Sequence, residues 1–163
     1  MGIMKTAAVK GLIPPGNKVS ELRHNIYNLM VITPLVLEEK LGHDGLNALV
    51  EVFHRMGHED AKTMKERLGF GDSLQDAANA WKVIGHILGS KMRDEWLSES
   101  RVEFHHDYCP QFETFQKAGH FYCSTVCLPY MESIANGISP SVKMEVVRES
   151  DRDKPCIKAL TTE

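Results

Sequence analysis

The stretch VEFHHDYCP, residues 102–110, sets two histidines, two carboxylates, a tyrosine and a thiol within nine residues. Such groups can hold or move a proton, and a thiolate can attack an electrophilic carbon. The alternation, closed by Pro110, reads as a strand, and side chains alternate across a strand. Val102, Phe104, His106 and Tyr108 then share one face, and Glu103, His105, Asp107 and Cys109 share the other. Same-face neighbours stand about 7 Å apart, within reach of one small ligand. The second face is expected to line a pocket, with His105 as the base that makes Cys109 a thiolate. The competing reading is a solvated strand face. It suits Glu103 and His105 but suits Cys109 less, because free cysteine is among the most buried residue types.

Three more thiols follow, at Cys123, Cys127 and Cys156. On a helix over 120–136, His120, Cys123 and Cys127 fall on one stripe. That H-x2-C-x3-C spacing could supply three ligands to zinc or iron, with Cys109 or His105 completing the set. No CxxC is present, so the spacing matches no standard zinc motif. The same stripe also reads as small core residues, or as the seat of a nucleophile, Cys127. The favoured reading takes no cofactor; the alternative places zinc or iron among His105, Cys109, His120, Cys123 and Cys127. His54 and His58 lack the intervening glutamate of a zinc-protease helix and read as surface, while His24 and His86 read as packed or solvated.

The elements that must position these groups are legible in part. Helices are expected over 19–31, from Thr33-Pro34 to Gly42, over 44–56, over 59–68 and over 73–88, with Ser73 and Asp76 in a capping arrangement. Gly57 reads as a weak point and Gly89 as a stop. The second half reads as the strand RVEFHHDY at 101–108, a short helix over 111–117 ending near Gly119, and a helix over 120–136 ending at Gly137. Two strands follow, SVKMEVVRE and CIKAL, paired as a hairpin around the polar turn SDRDKP. Helices, strand, helices, hairpin is an α+β order: N-terminal helices packed on a small antiparallel sheet with a C-terminal hairpin.

The chain of 163 residues suits one domain, with residues 1–18 expected as a flexible arm. Its net charge of -3 gives no basic field for nucleic acid or an anionic membrane. Residues 1–18 carry no apolar h-region, and the apolar stretch at 29–37 is short and interrupted by Pro34. A cytoplasmic protein with reduced thiols is the expectation. Its partner would be a small-molecule substrate, with further copies of the chain left open.

Residues 102–160 carry a likeness to a known family. The segments YCPQFETFQKAG, FYCSTVC, NGISPSVKMEVVRES and DKPCIKA resemble those of the L-2-amino-thiazoline-4-carboxylic acid hydrolase family. Cys109-Pro110, Cys127, Pro140, Arg148 and Cys156 occupy its pattern of cysteines, prolines and arginine. Two departures stand out. DRDKP has no glycine, and Glu132 is the first acid after Cys127, where one is expected sooner. The resemblance implies a hydrolase of a non-peptide carbon–nitrogen bond in a small cyclic amidine. Cys127, Cys109, His105, His106 and Asp107 would be catalytic, and His120, Cys123, Tyr108, Arg148 and Cys156 would bind substrate. The alternative is a non-catalytic sensor of a small ligand or metal.

Overall fold

The structure, a computed structural model, describes residues 8, 9 and 11–162. Three long helices lead: α1 (Pro15–Leu41), α2 (His43–Leu68) and α3 (Leu74–Leu88). A hairpin of β1 (Lys91–Ser98) and β2 (Arg101–Tyr108) follows, then α4 (Pro110–Ala118). A π-helical turn, Cys123–Cys127, runs into α5 (Leu128–Ile138), and β3 (Val142–Arg148) and β4 (Ile157–Thr162) end the described chain. The sheet is antiparallel throughout, in the order β1-β2-β4-β3. The protein is therefore α+β, with helices packed on the antiparallel sheet and a C-terminal β3–β4 hairpin.

The chain caps confirm the local chemistry of the sequence. Ser73 Oγ accepts the Asp76 backbone N–H at 3.0 Å at the start of α3. Gly89 and Gly119 close α3 and α4 at φ 76° and 74°, a left-handed conformation that glycine adopts without a Cβ clash. Trp81 on α3 lies 4.8 Å from Phe104 on β2, centroid to centroid, and joins the helical layer to the sheet.

Several expectations need correction. The break at Thr33-Pro34 is absent, and α1 runs through a buried Pro34. Proline forfeits one helical hydrogen bond, but the helix continues through it with Pro34 packed on the buried face. That helix also starts at Pro15, inside the stretch expected as an arm, whose first seven residues lie outside the described ones. The two segments around Gly57 are one helix. A Cβ on Gly57 would sit 2.5 Å from the Tyr130 carbonyl oxygen, and one on Gly137 would sit 2.6 Å from Ala61 Cβ. These glycines let α2 and α5 cross closely rather than ending helices, and α5 continues to Ile138. Finally, β1 was not foreseen. Its residues KMRDEWLS carry charge at both parities, which suits an edge strand but hides the alternation.

Gly57→Ala is expected to lower stability by about 2–4 kcal/mol, because the added methyl meets backbone rather than a flexible side chain. Urea unfolding of this variant beside wild type measures it.

Candidate active site

β2 divides its chemistry between two environments. Val102 and Phe104 are fully buried against the helices, and His106 follows them inward. On the opposite face, His105 Nε2 lies 3.5 Å from Glu103 and 3.6 Å from Glu95. Arg93 Nε donates to both Asp107 oxygens, at 2.9 and 3.0 Å. Arg101 bridges Glu103 and Glu145 on the same face. The grouping of His105 and Asp107 with Cys109 is therefore overturned: they belong to a ladder of charge on the outer face of the sheet. The alternation ends at Tyr108, and Cys109 turns inward as the first residue of the bend into α4.

The inward groups meet in a cavity of about 30 Å³, room for one water-sized group, bordered by His106, Cys109, Cys127, Tyr27, Met131 and Lys158. Cys109 is the N-cap of α4, and its sulfur accepts the Phe112 backbone N–H at 3.4 Å. Cys127 ends the π turn, whose wide ring is closed by the Leu128 N–H on the Cys123 carbonyl, and it caps α5. Such π turns recur at functional sites because they re-aim side chains. All four cysteines are free thiols.

Lys158 on β4 stands at the centre of this cluster and is 1% exposed. It pairs across the ladder with Phe104, and its ammonium lies 5.5 Å from the Trp81 ring centroid. Among the described residues no carboxylate forms an ion pair with it. Burial pushes the amine toward neutrality, whereas Cys127, Cys156, Cys109 and Cys123, when ionised, push its pKa above the ordinary lysine value. Burial likewise pushes the thiols up, Cys109 to about 11 and Cys123 to about 12, with Cys127 also raised. Lys158 draws Cys127 and Cys109 back toward ionisation, and the Phe112 N–H assists at Cys109. A proton on Lys158 and a negative charge on one of these sulfurs therefore stabilise each other.

His106 is held in one tautomer. Ser90 Oγ lies 3.0 Å from Nδ1 and donates its own proton to the Tyr108 carbonyl at 2.9 Å. The hydroxyl must then accept, so Nδ1 carries the hydrogen and Nε2 the lone pair. Burial, then Lys158 and His105, depress its pKa to about 3. His106 is therefore neutral in the fold, while the unfolded chain takes up a proton below about pH 6.5. More protons are bound in the unfolded state between those values, so stability falls as pH drops from 6.5 toward 3. His106→Gln is expected to flatten that acid limb, which thermal melting across pH 4–7 would measure.

A second, open cleft of about 330 Å³ adjoins the first, with Tyr27, Leu88 and Pro110 forming the shared wall. The Tyr27 hydroxyl donates to the Leu88 carbonyl across it. Arg23, His24 and Lys117 line this cleft, and so do Tyr108 and the Glu113 carboxylate. Arg23 already holds the Ile87 and His86 carbonyls, at 2.7 and 2.9 Å.

The remaining expected site residues lie elsewhere. His120 precedes the helix, is exposed, and stacks on Tyr122. Arg148 donates to the Pro155 carbonyl at 2.8 Å and ties the β3–β4 loop. Cys123 and Cys156 face a separate crevice with Ser150. The five residues considered for zinc or iron are thus scattered, and among the described residues no three His, Cys, Asp or Glu side chains converge as a ligand set. His54, expected at the surface, hydrogen-bonds Ser133 Oγ at 2.7 Å. Lys158 was missed because a strand lysine normally faces water. The available signal was parity: Cys156, Lys158 and Leu160 alternate together, and Leu160 is core.

Fold and site define an α+β domain in which two cysteines, Cys109 and Cys127, share a small cavity with a buried lysine beside an open cleft. No curated protein matches the chain. The model of the L-2-amino-thiazoline-4-carboxylic acid hydrolase family matches residues 22–150, most of the chain rather than its C-terminal third. The chain belongs to that family, which is named for a hydrolase of a small thiazoline. Among the described residues no helix is long and apolar enough to cross a membrane.

Proposed function

We propose that the protein hydrolyses a non-peptide carbon–nitrogen bond in a small cyclic amidine bearing a carboxylate, with Cys109 as nucleophile and Lys158 as the group that stabilises its thiolate. The observation that supports this most is the buried lysine among thiols, without a carboxylate partner among the described residues, beside an open cleft. A cation placed there lowers the energy of a thiolate, which is the attacking form.

The 330 Å³ cleft has room for the heterocycle, and Arg23 and Lys117 in its lining suit the carboxylate. The sulfur of Cys109 adds to the amidine carbon, and the C=N pair moves to the ring nitrogen, which takes the proton given up by the thiol. As the adduct collapses, the exocyclic nitrogen forms a double bond to that carbon and gives up a proton, while the bond to the ring nitrogen breaks, its pair and that proton going to the departing amine and the carbon staying on sulfur. Water then adds, the carbon–sulfur bond to Cys109 breaks, and the thiol regains a proton. One water is consumed, and the small inner cavity matches a water-sized group. Cys109 is preferred to Cys127 because it joins β2 to α4 beside Pro110, which lines both cavities, and because the α4 N-terminus assists its ionisation. His106, neutral and with Nε2 free of hydrogen, accepts hydrogen bonds in the inner cavity.

With the Cys109 thiol raised to about 11, thiolate is scarce at neutral pH. Turnover of 2-amino-thiazoline-4-carboxylate under kcat/KM conditions should therefore climb by about tenfold per pH unit from 7 to 9. A flat profile would argue for a nucleophile already ionised, or for water activated elsewhere.

A further inference from the structure

The outer face of α1 plays no part in this site. Val19, Leu22, Ile26, Leu29 and Val36 are 42–64% exposed, although the opposite face of the same helix buries Tyr27, Met30, Val31 and Pro34. With Thr33, the outward residues fall at steps of three and four in alternation from 19 to 36. That is the spacing of a helix–helix seam. Beside it, Val52 and Met56 of α2 are exposed as well, and an apolar groove of about 390 Å³ runs between the two helices over Met30, Leu49 and Phe53. Together these residues make one contiguous apolar patch, the kind of surface that marks an interaction site.

We propose that this face pairs with the same face of a second copy of the chain, the two α1 helices running antiparallel about a two-fold axis near Asn28. Antiparallel pairing matches the stripe to itself. Ile26 meets the second copy's Leu29, Leu22 meets its Thr33, and Val19 meets its Val36, each layer occurring twice. Leu29, the most exposed of the stripe, enters the groove beside Met30 and Leu49. Charge selects the direction. Lys18 and Glu39 are both exposed and lie three heptads apart along one edge of the stripe. Antiparallel pairing brings each Lys18 toward the other copy's Glu39, whereas a parallel pair sets like charges together.

Sedimentation velocity of the full chain from low to high micromolar concentration tests this. Wild type should sediment at twice the chain mass. Leu29→Asp should sediment as a monomer with an unchanged circular dichroism spectrum, since that side chain is 64% exposed and supports nothing in its own fold. Lys18→Glu and Glu39→Lys should each weaken the dimer by about tenfold through the two symmetric pairs, and the double swap should restore it. A wild-type monomer throughout the range, a Leu29→Asp dimer, or a double swap no tighter than the single variants would each overturn the proposal. A monomer that floats with anionic vesicles and loses this in Leu29→Asp would give the face to lipid instead.

Discussion

Lys158→Met is expected to slow turnover by about a hundredfold or more while leaving the protein as stable as wild type, or more so. A buried charge costs several kcal/mol of desolvation, and replacing it with an apolar side chain of similar length is often neutral or stabilising by about 1–4 kcal/mol. Methionine also keeps the flexible stem that packs beside Trp81. Catalysis moves the other way. The thiols are already raised by burial, and the variant removes a cation that draws Cys127 and Cys109 back. Loss of a stabilising charge in a site closed to water is typically worth 10²–10³ in rate. Thermal melting and substrate turnover on the same preparation separate the two effects. Loss of both stability and activity would make Lys158 a structural residue.

Cys109→Ser should remove activity by about three orders of magnitude at little cost in stability. Serine is itself a favoured N-cap and can accept the Phe112 N–H that the sulfur accepts now. Its hydroxyl, however, does not ionise in the accessible range and is a far weaker nucleophile. Cys127→Ser should show the reverse balance. A hydroxyl in that buried position, without an assured partner, costs about 1–3 kcal/mol, and the loss of rate should be smaller. Turnover and melting temperature for the two variants distinguish the roles. If Cys127→Ser is the dead and stable one, the nucleophile is Cys127, as the helical spacing of the sequence suggested.

The contrast between those two thiols shows where sequence reasoning reached and where it stopped. Local signals carried far: Ser73 with Asp76, Gly89, Gly119, and the parity of Val102 and Phe104 all appear in the fold as read. Long-range packing was not visible. Gly57 and Gly137 looked like helix ends because a glycine's local propensity is readable and the helix that crosses it is not. His105 and Asp107 looked functional because their types are reactive; the ion pairs that occupy them come from β1, whose charges disguised it as a loop. Cys109 kept its place in the candidate site, but with His106 and Lys158 instead of His105. A strand's alternation cannot be carried past its last residue into a bend. Lys158 illustrates the other limit, since no local rule announces a buried lysine, and only its parity with Leu160 placed it inside.

The covalent step can be observed directly. Wild-type protein mixed with an equimolar amount of 2-amino-thiazoline-4-carboxylate, quenched in acid at successive times and digested, should show a substrate-derived mass on the peptide carrying Cys109. That mass should rise and then decay as product forms, and it should be absent in Lys158→Met. Consumption of the substrate at the full rate, with the Cys109 peptide unmodified at every quench time, would contradict the account.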